Sequence, residues 1–154
     1  MKYITTPNAI GYVELTYAIT TGMKHAAVQN QAGNFIQGSL ESTRAAVAAA
    51  APSLPAGDQP QLWTDVTMVN APGADSYPIA SFSYLLIYKD LSTNPGLRDQ
   101  NKAKNLVDFI NWAITDGQQF APDLGYVPLP EQVVQLNQET LSGLTINGAP
   151  LQVS

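Results

Sequence analysis

The sequence contains no cysteine, which excludes a disulfide framework, a thiolate zinc site and a cysteine nucleophile. Charge is also scarce, because only 12% of the residues are charged and the formal net charge is −5. The seven Lys and Arg residues are scattered, so they form no basic patch that would attract nucleic acid or an anionic membrane. We therefore predict no nucleic-acid partner and no membrane-surface partner.

Long hydrophobic runs are missing as well. No stretch approaches the roughly 18 apolar residues of a membrane span. The start, MKYITTPNAIGYVEL, lacks the basic segment and continuous apolar core of a signal peptide, so none is predicted. The 154 residues, 45% of them hydrophobic, suit one domain with a core.

Residues that would indicate catalysis are few. His25 is the single histidine, and no Ser, Asp or Glu lies at a spacing typical of a triad or a metal site, so we interpret it as a solvated or core side chain. The aspartates are dispersed, and neither of the glycine-rich nucleotide-binding motifs occurs. The sequence predicts no enzyme, no catalytic residue, no metal site and no cofactor.

The most apolar stretch is SYPIASFSYLLIYKD, residues 76–90. Aromatic and branched side chains dominate residues 80–88, between Pro78 and the pair Lys89-Asp90, and the apolar run is nearly continuous over residues 84–88. This pattern predicts a central strand that is buried on both faces, in a parallel or mixed sheet with helices on each side.

Capping residues and hydrophobic periodicity predict four helices. Ser39 is a suitable N-cap for an alanine-rich helix, and Gly22 is a suitable stop for a short one. Phe109 and Trp112 widen the apolar stripe of the longest helix, which predicts that it is sandwiched between other elements. The predicted ranges are 14–19, 40–51, 97–115 and a last helix that starts at Pro130.

Alternating or apolar runs between turn residues predict about five short strands. A turn at residues 31–34 joins two of them as a hairpin. The end of the chain, residues 144–150, is predicted as a short turn with an added edge strand. The predicted strands cover residues 9–13, 26–29, 35–36, 63–69 and 80–88.

Four motifs in register resemble the phosphate-binding protein of ABC-type phosphate importers, a type II periplasmic solute-binding protein. Their order and spacing agree over residues 7–144, and the chain resembles only the C-terminal half of these two-lobed proteins. The motifs are AIGYVE at 9–14, YPI at 77–79 before YLLIYK at 84–89, WA at 112–113, and LGYVPLP at 124–130.

The resemblance implies an α/β fold in which a mixed sheet is flanked by helices. It implies one segment over residues 1–154, in which residues 7–75 match the end of the second lobe. Residues 76–90 would then cross between the lobes, and residues 91–144 would return to the first lobe.

The resemblance also implies a function, which is capture of inorganic phosphate outside the cytoplasmic membrane, in the periplasm or at the cell surface, for an ABC transporter permease. In the family the anion ligands lie upstream of the AIGYVE motif, so none carries over to this chain. By resemblance Ser81 and Ser83 lie near the cleft and Tyr77 lies in the hinge, and these three are the site candidates. If these residues have only a structural role, Ser81 and Ser83 are polar side chains near the edge of a strand, and Tyr77 belongs to the turn that leads into it.

Two functions remain open on the sequence. In the first, the chain is a phosphate-binding component or fragment whose anion ligands come from a missing N-terminal half or another chain, because its own Arg44 and Arg98 are predicted to be solvated surface charges. In the second, it is a non-enzymatic structural module that no longer binds phosphate alone and self-associates through the surface that the missing half would cover.

Overall fold

A computed structural model describes residues 6–151, so the ends of the predicted range 1–154 lie outside it. The described chain contains four α-helices, four short strands and several single turns of 3₁₀ helix. None of its helices is long and apolar enough to cross a membrane. In chain order the elements are α1 (Leu15–Thr20), β1 (Ala27–Gln29), β2 (Phe35–Gln37), α2 (Leu40–Ala50), α3 (Gln100–Ile114), α4 (Glu131–Ser142), β3 (Thr145–Ile146) and β4 (Ala149–Pro150).

Side-chain caps start two of the helices, one at Ser39 as predicted and one at Asp99, where α3 begins three residues later than the predicted position 97. The Ser39 hydroxyl accepts from the Ser42 amide at 3.1 Å, and the Ser42 hydroxyl accepts from the Ser39 amide at 3.0 Å, which closes a capping box at the start of α2. The Asp99 carboxylate accepts from the Lys102 amide at 3.0 Å at the start of α3. Pro130 precedes α4, and α1 ends just before Gly22. The four predicted helices are therefore confirmed.

The two hairpins follow from local turn chemistry. Strands β1 and β2 pair antiparallel, with Val28 opposite Ile36, as the sequence predicted. Strands β3 and β4 pair antiparallel across Asn147 and Gly148, whose φ values of 51° and 75° suit a two-residue hairpin turn. The predicted edge strand near the chain end is thus one arm of a small hairpin.

The predicted central strand is wrong. Residues 80–88 form no strand, and the described chain contains two separate two-stranded antiparallel sheets instead of a mixed sheet. Residues 9–13 form no strand either, and Pro60–Asp65 forms 3₁₀ helix where the predicted strand 63–69 begins. A strand is stable only beside a neighbour that hydrogen-bonds its backbone, and these stretches have no such neighbour within the described residues.

The buried apolar side chains form two separate clusters. The first lies under α2 and consists mostly of alanine, and the second lies between α3, α4 and β3 and contains larger side chains. Residues 81–90 connect the two clusters along the chain. The first cluster contains Ala46, Val47, Ala50, Met68, Ala71 and Ala80, and the second contains Leu91, Ala103, Val107, Ile110, Ile114, Leu141, Leu144, Ile146 and Leu151.

Helix α3 is covered on one side only. Its buried stripe faces the second cluster, whereas Phe109 is 61% exposed and Trp112 is 44% exposed. The prediction that α3 is sandwiched is therefore wrong, because α4 and the β3–β4 hairpin cover only one of its faces. The two rings stack at a centroid distance of 6.0 Å, and Phe120 lies 6.3 Å from Trp112.

Leu91→Ala should lower the free energy of unfolding by about 2 to 5 kcal/mol, because Leu91 is 1% exposed and its truncation leaves a cavity in the second cluster. Urea denaturation measures the change. Leu86→Ala is the matched control and should change the same quantity by less than about 0.5 kcal/mol, since Leu86 is 96% exposed. Equal losses in the two variants would contradict the assignment of these two leucines to core and surface.

Candidate functional site

The candidate site residues lie in the crossover segment, which we define as residues 76–90. This segment leaves the first cluster at Ala80 and enters the second at Leu91. It is held by hydrogen bonds at both ends and by very few in between. The geometry of these two anchors decides where Tyr77, Ser81 and Ser83 are placed.

The first anchor is built around the buried side chain of Asn30. Its Nδ2 donates to the Ala74 carbonyl at 2.9 Å and to the Ser76 carbonyl at 3.2 Å, while its Oδ1 accepts from the Asn34 amide at 3.0 Å. Ser76 is buried too, and its hydroxyl donates to the Pro72 carbonyl at 2.7 Å. These bonds fix the start of the crossover segment against the β1–β2 hairpin. They also give hydrogen-bond partners to buried polar groups that would otherwise lower the stability of the fold.

Tyr77 belongs to this anchor. Its amide donates to the Ser42 carbonyl in α2 at 3.0 Å, and its ring lies beside Gly38. A Cβ at position 38 would come 3.3 Å from the ring carbon Cζ and 3.4 Å from Leu15, so glycine allows β2, α1 and Tyr77 to approach closely. The structure thus places Tyr77 at the junction of three elements.

The second anchor is the carboxylate of Asp90. Its Oδ1 accepts from the Ser92 amide at 2.9 Å and from the Ser92 hydroxyl, and its Oδ2 accepts from the Gly148 amide at 2.7 Å. The Lys89 carbonyl accepts from the Thr145 amide at 2.9 Å. The end of the crossover segment is therefore tied to the β3–β4 hairpin. Donation by the Ser92 hydroxyl, and next by the Gly148 amide, lowers the pKa of Asp90 to about 2.

Between the anchors the segment pairs with no strand among residues 6–151. Within the described chain, no backbone hydrogen bond uses an amide or carbonyl of residues 79–88. Most of its large apolar side chains face solvent. The ring of Tyr84 makes edge-to-face contact with Trp63 at a centroid distance of 5.8 Å. The site candidates Ser81 and Ser83 lie on this exposed stretch.

The grouping of the three candidates into one site stays a prediction. Among the described residues no hydrogen bond connects Tyr77 with Ser81 or Ser83, and the Ser81 hydroxyl donates to the neighbouring Phe82 carbonyl at 3.1 Å. Arg44 lies exposed on α2. The residues that the chain would need for holding an anion therefore do not converge here.

Arg98 and His25 are used locally. The Arg98 Nε donates to the Ser92 carbonyl at 3.4 Å, and the side chain is exposed. The His25 ring lies between the Met23 carbonyl, 3.1 Å from Nδ1, and the Gly38 carbonyl, 3.0 Å from Nε2. Within residues 6–151, no three His, Asp or Glu side chains are grouped to hold a metal ion.

A contact that the sequence analysis missed joins the motifs AIGYVE and LGYVPLP. The Tyr126 hydroxyl donates to Glu14 Oε1 at 2.6 Å, which raises the pKa of Tyr126. The Thr16 hydroxyl donates to the Gly125 carbonyl at 3.4 Å, and a Cβ at position 125 would come 3.0 Å from Thr16. The only signal in the sequence was that both segments carry motifs of the same family, although they are more than 100 residues apart.

Most of the chain is similar in sequence to known proteins. No family model matches the chain. It is 36% identical over 135 residues to the phosphate-binding protein PstS of Methanocaldococcus jannaschii, in a match that covers 86% of this chain and 34% of the relative. Against PstS of Haemophilus influenzae the identity is 39% over 134 residues, covering 87% of this chain and 35% of the relative. This chain is similar to PstS over about a third of the length of those proteins.

PstS of Pasteurella multocida matches in the same way, with 37% identity over 127 residues that cover 82% of this chain and 33% of the relative. The resemblance to phosphate-binding proteins is therefore confirmed. The chain spans about a third of the length of these PstS relatives, which is consistent with a C-terminal segment and is less than the half that the resemblance implied.

The Asp90 anchor should release in acid. Because the pKa of Asp90 is lowered in the folded chain from 3.8 to about 2, its stabilising effect is present above about pH 4 and is lost as the pH falls toward 2. The amide chemical shift of Gly148, followed by NMR from pH 6 to about pH 1, should titrate with a midpoint near 2. Asp90→Asn should abolish this titration.

Asp75→Asn is the matched control, since Asp75 is exposed and lies far along the chain from the β3–β4 hairpin. It should leave the Gly148 titration unchanged. A Gly148 midpoint near the ordinary value of an aspartate would show that the carboxylate does not accept from this amide.

Proposed function

We propose that this chain is part of the phosphate-binding component of an ABC-type phosphate uptake system. That component captures inorganic phosphate outside the cytoplasmic membrane, in the periplasm or at the cell surface, and delivers it to a transporter permease. The observation that carries the proposal is the 36 to 39% identity to three proteins that are named phosphate-binding protein PstS. These relatives are named as binding proteins and not as enzymes, so we propose no catalytic role.

We further propose the division of the chain between two lobes. Residues 7–75 end the second lobe, residues 76–90 cross over, and residues 91–144 return to the first lobe. Two features support this division: the apolar clusters are separate, and the boundary between them falls within the crossover segment. Anchoring at Asn30 on one side and Asp90 on the other suits a segment that passes between two bodies.

In this proposal the chain supplies scaffold and hinge, and the anion ligands come from elsewhere in the complete protein. A dehydrated phosphate needs several convergent donors, and Arg44 and Arg98 are exposed and lie on different elements. Tyr77 is proposed as a hinge residue because it contacts both α2 and the neighbourhood of Gly38. Ser81 and Ser83 are proposed to face the cleft once the crossover segment is covered.

The structural, self-associating module is the less favoured function. The exposed apolar side chains of residues 84–88 are consistent with it. The similarity to phosphate-binding proteins over more than four fifths of the chain favours a role in phosphate capture.

Calorimetric titration of the purified chain with inorganic phosphate should give no binding heat, because the donors that a phosphate needs do not converge in it. PstS of Haemophilus influenzae, titrated in the same buffer, is the positive control. Tight phosphate binding by the 154-residue chain alone would contradict the role as scaffold without ligands.

The proposed role in phosphate binding is tested in a complete protein. A chimera in which this chain replaces the matched part of Haemophilus influenzae PstS should bind phosphate within about tenfold of the parent affinity, since the ligands come from the retained part. A chimera that folds cooperatively and yet fails to bind phosphate would contradict the proposed function.

A further inference from the structure

The turn of the β3–β4 hairpin contains the single Asn-Gly pair of the sequence, Asn147-Gly148. Both residues are exposed, and a Cβ at position 148 would meet no other atom within 4 Å, so the turn is open to water. An asparagine followed by glycine loses ammonia most readily, because glycine has no side chain to keep its nitrogen away from the asparagine carboxamide. The turn therefore combines the residue types that deamidation needs with free access for water.

The other asparagines are less suited to this reaction. Each is followed by a residue other than glycine, and Asn94 is followed by Pro95, which has no amide hydrogen. Asn30 is also buried, and its Nδ2 donates to the Ala74 carbonyl at 2.9 Å. Loss of ammonia is therefore expected to concentrate at Asn147.

The reaction is intramolecular and needs only water as a co-reactant. The Gly148 amide loses its proton, and its nitrogen attacks Cγ, the side-chain carbonyl carbon of Asn147. A bond from this nitrogen to Cγ forms, the bond from Cγ to Nδ2 breaks, and ammonia leaves with the proton. Water then opens the resulting succinimide ring at one of its two carbonyls. One opening gives aspartate, and the other gives isoaspartate, in which the main chain runs through Cβ and Cγ.

The Asp90 carboxylate opposes the first step of this reaction. Its Oδ2 accepts from the Gly148 amide at 2.7 Å, so the proton that must leave is held in a hydrogen bond to a negative charge. The same charge disfavours the negative charge that forms on the nitrogen. Because the pKa of Asp90 is lowered to about 2, the carboxylate is ionised at neutral pH and is far too weak a base to remove an amide proton.

The backbone of the turn is held as well. The Asn147 amide donates to the Ser92 hydroxyl at 3.3 Å, next to the Gly148 amide that Asp90 binds. Attack on Cγ needs a rotation of the peptide unit between residues 147 and 148, which moves the Gly148 amide away from Asp90. The hydrogen bonds of the second anchor therefore restrain the geometry of the reaction in addition to its chemistry.

We propose that Asn147 is a site of spontaneous deamidation, that the Asp90 carboxylate slows the reaction, and that the product releases the second anchor. This inference does not depend on the proposed function. Isoaspartate adds one atom to the main chain of a two-residue turn, so Gly148 can no longer reach Asp90 while Ile146 stays opposite Ala149. Aspartate instead places a negative charge one residue before the amide that Asp90 binds. Either product weakens the tie between the crossover segment and the β3–β4 hairpin.

Peptide mapping by mass spectrometry, applied to the purified chain at intervals in mildly alkaline buffer, measures the rate of deamidation at each asparagine. A synthetic peptide with the sequence LTINGAPLQ gives the unrestrained rate. Conversion in the folded chain should concentrate at Asn147 and should be slower than in the peptide by about tenfold or more, because the hydrogen bond to Asp90 must break first. Conversion at the rate of the peptide, or earlier conversion at another asparagine, would overturn the proposal.

Two variants of Asp90 separate its effect from the general effect of folding. Asp90→Ala removes the acceptor and should raise the rate at Asn147 by about tenfold. Asp90→Asn keeps an acceptor oxygen but removes the charge, and it should raise the rate by about threefold even if the alanine variant does not fold.

Ile110→Ala is the matched control, since it truncates a buried side chain of the second cluster and leaves the turn untouched. It should change the rate at Asn147 by less than about twofold in a chain that remains folded. Equal acceleration by the Asp90 variants and the control would show that lost stability is the cause. That result, or no acceleration by either Asp90 variant, would overturn the role of Asp90.

Amide hydrogen exchange tests the release of the second anchor. Anion exchange separates the converted chain, and synthetic peptides serve as retention standards that distinguish isoaspartate from aspartate. In the isoaspartate form, the Thr145 amide, which donates to the Lys89 carbonyl at 2.9 Å, should exchange faster by about tenfold or more. Amides of α3 serve as the internal control and should keep their protection. Unchanged exchange at Thr145 in the isoaspartate form would contradict the proposed release.

Discussion

A strand forms only beside a neighbour that hydrogen-bonds its backbone, and among the described residues the crossover segment makes backbone-to-backbone hydrogen bonds only near its two ends. This constraint explains most of the structure. Residues 79–88 link two apolar clusters without forming a strand with either of them. The clusters therefore remain separate, and α3 keeps an apolar face in contact with solvent. Two short polar side chains, Asn30 and Asp90, hold the segment in place.

Both anchors use local geometry to hold distant parts of the chain together. The side-chain amide of Asn30 lies at the turn of the β1–β2 hairpin and donates to carbonyls more than 40 residues away. The Asp90 carboxylate caps a 3₁₀ turn through Ser92 and at the same time binds the turn of the β3–β4 hairpin through Gly148. A third long-range contact, Tyr126 with Glu14, links α1 to the segment before α4. These three contacts join segments that are distant in the sequence.

Features that depend on local chemistry could be predicted from the sequence. Ser39 starts a helix because its side chain accepts from an amide one turn ahead, and the β1–β2 hairpin forms because its turn lies between two matching strands. Asp99 caps α3 in the same way, although the predicted helix began at residue 97. The stretch at 80–88 was predicted to be a buried strand for a sound reason, its apolar and branched composition. It forms no strand, because a strand needs a hydrogen-bonded neighbour. The composition of one stretch does not determine whether the fold supplies that neighbour.

The candidate site, like the fold, could be predicted from the sequence only in part. The family motifs identified the relatives correctly, and they also marked the two segments that meet at Glu14 and Tyr126. The grouping of Tyr77, Ser81 and Ser83 stays a prediction, since two of them lie on the unpaired stretch and their final positions depend on what covers it. No local pattern could have revealed that Asn30 and Asp90 anchor that stretch, because each binds groups that are distant in sequence.

The central claim is that the crossover segment is fixed at both ends and unpaired between them. Backbone ¹⁵N relaxation of the purified chain tests it most directly. The account predicts order parameters near 0.85 at Ser76 and Leu91 and below about 0.6 in the middle of residues 79–88. Uniformly high order parameters across the segment would contradict the account, because they would show that these residues are already held by partners within the chain.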